Sequence, residues 1–141
     1  MATVVVDTHA AVWYLANSSK LSQAAAKTLD EASASGDSIF IPSIVLVELT
    51  YLVEKGRLPS EARKRLVDAL SQVDGPFELA PLDAGVAAAV ELIDRNLVPD
   101  MPDRIIAATA LSLGAALISR DRKIRSSQIQ TICSPKASFA S

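Results

Sequence analysis

One cysteine and one histidine in 141 residues leave little room for soft-metal or redox chemistry. Cys133 has no partner for an internal disulfide, and Cys133 with His9 cannot supply the donor set of a structural zinc site. No serine or cysteine nucleophile has a histidine base other than His9, so acyl-transfer triads find no support. GxGxxG and GxxxxGK[ST] elements are both missing, which removes the case for a dinucleotide fold or a P-loop. The N-terminus lacks the basic start and cleavage site of a signal peptide, and no apolar run is long enough to span a bilayer. The expectation is a soluble, cytoplasmic protein with no membrane partner. Six aromatic residues leave little for base stacking, and a net charge of −2 provides no general positive field for coating nucleic acid. Any such contact must be local. Arg120, Arg122, Lys123 and Arg125 form one candidate patch and Arg57 with Arg63-Lys64-Arg65 another, each with a solvated surface as its plain alternative.

Half of the residues are apolar, enough for the core of a single domain spanning residues 1–141. Thr3 to Val6 reads as a short buried strand, His9 to Leu15 as a helix, and Ser22 as the cap of a second helix reaching about Ser35. Ser38 to Ile41 is a second strand. Ser43 is read as the cap of a helix from Ile44 to Lys55, stopped by Gly56, and Ser60-Glu61 starts a hairpin partner that reaches about Gln72. Phe77 to Ala80 is a third strand, Asp83 caps a helix to about Arg95, and Asn96 to Pro102 is a loop. Asp103 is read as opening a helix over Arg104 to Leu113, followed by strands at Ala115 to Ser119 and Gln130 to Cys133. Residues 134–141 are expected to fray. Strands alternating with helices imply an α/β fold, a parallel sheet between two layers of helices, with any ligand site at the carboxyl ends of the strands.

Four acidic residues stand where a fold normally avoids a carboxylate. Asp7 is the only charged side chain in the first 19 residues and follows an apolar strand. Glu48 is the only charge between Ile39 and Val53. Asp103 precedes the uncharged stretch from Ile105 to Ser119, and Asp121 lies just beyond it. Three have a local alternative: Asp7 and Asp103 as helix caps, Asp121 as an ion-pair partner of Arg120 or Arg122. Glu48 resists one, because its helix offers no basic partner within a turn. Two carboxylates about 5 Å apart repel by roughly 3 kcal/mol at an effective dielectric near 20, so four sharing a pocket call for a cation. With oxygen donors alone, that cation is Mg²⁺ or Mn²⁺ rather than zinc, and such an ion suits phosphoryl chemistry. Thr8 and Ser119 are placed to hydrogen-bond to the site from beside their carboxylates, with a backbone cap or turn as the equal alternative for either.

The stretches Val4-Val5-Val6-Asp7-Thr8-His9, Pro42-Ser43 with Glu48, Pro99-Asp100-Met101-Pro102-Asp103-Arg104-Ile105-Ile106-Ala107-Ala108 and Leu117-Ile118-Ser119-Arg120-Asp121-Arg122-Lys123-Ile124 resemble the PIN-domain family, and within it VapC-type toxins. The resemblance implies a three-layer α/β/α sandwich and a Mg²⁺- or Mn²⁺-dependent endoribonuclease. It makes Asp7, Glu48, Asp103 and Asp121 the acidic quartet that holds metal and catalyses, supported by Thr8, Asp100, Arg104 and Ser119. It adds an RNA substrate, a homodimer and a small antitoxin seated in a groove near the site. Competing readings are a PIN nuclease of RNA processing without an antitoxin, a silent scaffold that binds RNA or a partner, and a phosphoacceptor module. The last wants an early aspartate doublet, and only Asp7 stands there. An aspartate nucleophile of the haloacid-dehalogenase kind wants a second aspartate at position 9, which is His9.

Overall fold

The computed structural model describes residues 3–120 and 131–133. Val4–Val6 forms strand β1, every residue of it buried. Three β-branched side chains in a row favour extended backbone, and apolar residues on both faces suit the middle of a parallel sheet. β1 pairs in parallel with β2 (Ile39–Pro42) on one side and β4 (Ala116–Ser119) on the other. β3 (Phe77–Ala80) adds to β2 and β5 (Thr131–Cys133) to β4, giving the order β3-β2-β1-β4-β5.

Parallel neighbours need crossovers, and helices supply them. α1 (Thr8–Leu15) and α2 (Gln23–Ala34) join β1 to β2, α3 (Ser43–Glu54) and α4 (Ser60–Leu70) join β2 to β3, and α5 (Ala84–Ala89) and α6 (Met101–Leu113) lead to β4. The result is the three-layer sandwich expected from the sequence. Val4, Val5, Ile39, Ile41, Leu117 and Ile118 of the sheet are fully buried against Leu29, Leu49, Leu66 and Ile106 of the helices.

The chain steps outward from β1 to β2 to β3 and then returns across the sheet to β4. That reversal opens a crevice at the carboxyl ends of β1 and β4. Val6 stands opposite Ile118, and the Asp7 N–H donates to the Ile118 carbonyl at 3.0 Å, so the residues after both strands are held side by side.

Several boundaries differ from the sequence reading, each for a local reason. Ser43 does not cap α3: Pro42 holds that position without a side-chain bond, and the Ser43 hydroxyl accepts instead from the Leu82 N–H at 3.2 Å. Asp103 does not cap α6 either. Asp100 does so, with its Oδ2 accepting from the Asp103 N–H at 3.2 Å, and Pro102 falls in the first turn where its missing N–H costs nothing. The helix capped by Asp83 stops at Ala89, and a 3₁₀ turn over Val90–Leu92 replaces its expected continuation. The terminal tail at 134–141 lies outside the described residues. Asp83 itself caps α5 as expected, with Oδ1 accepting from Val86 N at 2.9 Å. Asp83→Ala should cost about 1 kcal/mol, read as a lower urea midpoint at unchanged slope.

Candidate active site

Asp7 is the cap of α1, its Oδ1 accepting from the Ala10 N–H at 2.9 Å. A cap uses one oxygen, and this carboxylate uses both. Oδ2 accepts from the Ser119 hydroxyl at 2.8 Å and from the Arg120 N–H at 3.1 Å, both from the far end of the chain. The residue is 5% exposed. Burial pushes its carboxyl pKa up, while the three donors and the Arg120 charge pull it partway back. Keeping a carboxylate here is costly, and a cation beside it would remove most of that cost.

Glu48 lies on the half-buried side of α3, and its Oε1 accepts from the Thr8 hydroxyl at 2.6 Å. That bond ties α3 to the first turn of α1. Asp103 sits in the first turn of α6 behind its cap Asp100, where the helix dipole favours negative charge. Asp7, Glu48, Asp100 and Asp103 all line one cleft of about 870 Å³. Four of the residues singled out from sequence thus share one cavity. Thr8 lines the cleft with them, and the fully buried Ser119 supports it through Asp7. Asp121 lies outside the described residues.

Arg104 departs from expectation. Its guanidinium turns away from the acids and donates to the Val90 and Ile93 carbonyls at 2.9 and 3.0 Å. Those carbonyls belong to the 3₁₀ turn and its end, so Arg104 ties the first turn of α6 to the segment that follows α5.

Sequence reasoning missed Trp13 and Tyr51, which also line the cleft together with His9, Arg57 and Arg120. The signal was spacing: His9 and Trp13 are four apart on the helix that Asp7 begins, and Tyr51 is three beyond Glu48. The His9 and Trp13 rings lie 5.6 Å apart at 58°. Burial first, then the charges of Arg120 and Lys20, lower the His9 pKa to about 4. At neutral pH it is an uncharged ring and not a phosphate-binding cation. Gly56, at φ 72°, ends α3 in the left-handed conformation that glycine adopts freely and delivers Arg57 to the cleft.

The donor set fits a hard divalent cation. Every charged candidate ligand is a carboxylate, and three hydrogen bonds on Asp7 leave one of its roughly four acceptor positions free. Among the described residues no three His, Cys, Asp or Glu side chains form a group that could hold an ion. Magnesium suits such a site, since it commonly takes one or two carboxylates and keeps several waters.

A family profile described as PIN domain matches residues 4–128. The chain is 30% identical over 126 residues to Ribonuclease VapC22 of Mycobacterium tuberculosis (strain ATCC 25618 / H37Rv), covering 89% of this chain and 92% of that one. Its fold is similar to VapBC2 from Rickettsia felis bound to a promoter DNA fragment, with a TM-score of 0.70 at 20% identity over 94% of this chain and 98% of that one. A toxin-antitoxin complex from Klebsiella pneumoniae gives 0.63 at 21% identity over 92% and 95%.

Proposed function

The chain belongs to the PIN-domain family, and on that footing we propose that it is a divalent-metal-dependent endoribonuclease, the toxin of a toxin–antitoxin module. The observation that carries the reading is Asp7, a buried carboxylate held by three donors at the sheet's reversal point and facing Glu48, Asp100 and Asp103 across one cleft. Asp7 and Asp103 are the direct holders of Mg²⁺ or Mn²⁺, with Glu48 and Asp121 completing the acidic set. Such an ion, when bound, neutralises phosphate oxygens and lowers the pKa of water.

The chain's own residues do the rest. Ser119 and the Arg120 N–H fix the Asp7 carboxylate in one orientation, and Asp100 shapes the turn that presents Asp103. Thr8 fixes Glu48, which accepts the proton of the attacking water as a phosphodiester oxygen departs. Arg57 and Arg120, both exposed at the cleft, offer cations to the RNA backbone.

Thr8→Val keeps the shape of this buried side chain and removes its hydroxyl. It should lower kcat about tenfold, the scale seen for residues that orient ligands, with KM and the urea midpoint little changed. An equal rise in KM would instead place Thr8 against the substrate.

The toxin role rests on the family and on fold-level likeness to toxin–antitoxin complexes; the small antitoxin partner, a homodimer and a cytoplasmic location belong to the same proposal. Among the described residues no helix is long and apolar enough to cross a membrane. The test is cleavage of structured RNAs with Mg²⁺, Mn²⁺ or chelator. Metal-dependent cuts support the nuclease, and no cutting with either metal sinks it. Growth arrest on expression, relieved by the product of an adjacent small reading frame, separates a toxin from an RNA-processing enzyme.

A further inference from the structure

Several cations around the acidic cleft are already committed. Arg104 donates to the Val90 and Ile93 carbonyls, the Arg63 Nε donates to the Thr50 hydroxyl at 3.1 Å, and Lys55 stands 5.6 Å over the Tyr51 ring. Arg120 is engaged with Asp7 through its N–H and its charge. Arg57 differs from all of these. It is exposed on the cleft wall, and among the described residues its guanidinium makes no hydrogen bond or ion pair, although Asp7, Glu48, Asp100 and Asp103 line the same cavity. The charge that acts on Asp7 is that of Arg120, so Arg57 stands apart from the proposed metal position.

The backbone beneath this free head is tightly held. Gly56 N–H donates to the Val53 carbonyl at 3.0 Å and Arg57 N–H to the Leu52 carbonyl at 2.9 Å, the paired ending that closes a helix through a left-handed glycine. Leu58 N–H reaches the same Leu52 carbonyl at 3.3 Å, its side chain packs against the core, and Pro59 leads into α4. A fixed root with an unpaired guanidinium suits an anion that arrives from outside, because little main-chain order is left to lose on binding.

We propose that Arg57 is a substrate-positioning residue that grips a phosphate next to the scissile one, on the Glu48 side of the cleft, and so sets which linkage is cut. The inference rests on the nuclease reading and assigns one task within it. Between Glu48 and the end of α3 at Glu54 the helix rises about 9 Å, so a side chain from the turn beyond it serves a neighbouring phosphate and leaves the reacting one to Asp7, Glu48 and Asp103. The planar fork of a guanidinium matches two phosphate oxygens at once, which fixes the strand along its length as well as holding it.

The experiment gives full-length protein a short single-stranded RNA in which one phosphodiester at a time is replaced by an uncharged methylphosphonate. Cleavage is followed in wild type, and binding in Asp103→Asn protein. Wild type should lose about tenfold in kcat/KM at one linkage beside the cut, in addition to the loss at the cut itself. Arg57→Ala should lose the same factor on unmodified RNA, mostly in KM, spread its cuts over adjacent linkages, and lose nothing further at that neighbouring position. Arg57→Lys should recover part of the affinity but less of the cutting precision. In binding, Arg57→Ala should flatten the log–log salt dependence by about 0.7, the value of one single-strand phosphate. Arg65→Ala makes the same charge change at an exposed position on α4 and should alter none of these.

A methylphosphonate profile in Arg57→Ala identical to that of wild type overturns the proposal, as does an unchanged salt slope. Unchanged RNA handling with loss of an acidic protein partner also overturns it and makes Arg57 a protein contact instead. If wild type cuts RNA while the profile ignores Arg57, the register assignment fails and the nuclease stands. If wild type cuts nothing with either metal, the nuclease reading fails, and the same coupling measured in binding still decides whether Arg57 holds a phosphate.

Discussion

Asp7→Asn should lower RNA cleavage on the order of 10³-fold and, in chelator, raise the melting temperature of the protein. The two effects share one cause. The carboxylate is buried, and desolvation outweighs the Ala10, Ser119 and Arg120 donors in setting its pKa above 3.8. A group whose folded pKa is raised binds protons more readily when folded, so its charge opposes folding once pH exceeds the unfolded value. Metal-free wild type should therefore lose stability as pH climbs from about 4 toward the raised pKa, and Asp7→Asn should not. The difference in melting temperature should be small at acid pH and widest above the raised pKa.

Asparagine keeps one oxygen for the Ala10 cap and can offer its amide to the Ser119 hydroxyl, which rotates to accept. The Arg120 N–H is the bond most exposed to loss, at about 1 kcal/mol, which trims the gain without reversing it. Mg²⁺ should invert the ranking. Wild type gains stability by binding the ion, while the variant, lacking the charge that holds it, gains little. Calorimetry with and without Mg²⁺ across that pH range reads all of this. A variant that melts lower than wild type in chelator, with a gap independent of pH, would show that Asp7 is a structural cap and nothing more.

Strand identities were legible in the sequence because Val4–Val6 and most of Ala116–Ser119 are short apolar runs, and Phe77–Ala80 is bounded by Pro76 and Pro81. The acidic site was legible for a related reason: Asp7 and Glu48 interrupt apolar stretches with no lysine or arginine within a turn. Strand order was not. Nothing local says that β1 pairs with β4, and only that pairing brings Ser119 and Arg120 onto Asp7. Asp100 and Asp103 are both good cap residues before an apolar helix, and sequence alone could not choose between them. Trp13 and Tyr51 were hidden because helical aromatics usually face a core, and exposure is a tertiary fact.

Arg104→Ala should cost about 2–3 kcal/mol of stability while leaving cleavage per folded molecule within about threefold of wild type. The family pattern suggested a supporting role at the acids, and the geometry gives the side chain a different task. Its guanidinium bridges the Val90 and Ile93 carbonyls, and Ile93 is one of the largest fully buried side chains. Charged donors on two carbonyls are worth more than a neutral pair, and truncation removes both, leaving the Val90 carbonyl only its bond from the Ile93 N–H at 3.0 Å. The Arg104 Nε is buried with no hydrogen-bond partner among the described residues. Both bonds come from one nitrogen, Nη2, so lysine, whose ammonium also carries several donors, should recover part of the loss. Urea midpoints and single-turnover cleavage rates on Arg104→Ala and Arg104→Lys separate the roles. Rates that fall by a hundredfold at unchanged stability would return Arg104 to the active site. Midpoints that fall together with normal rates would make it a strut that ties the first turn of α6 to the 3₁₀ turn after α5.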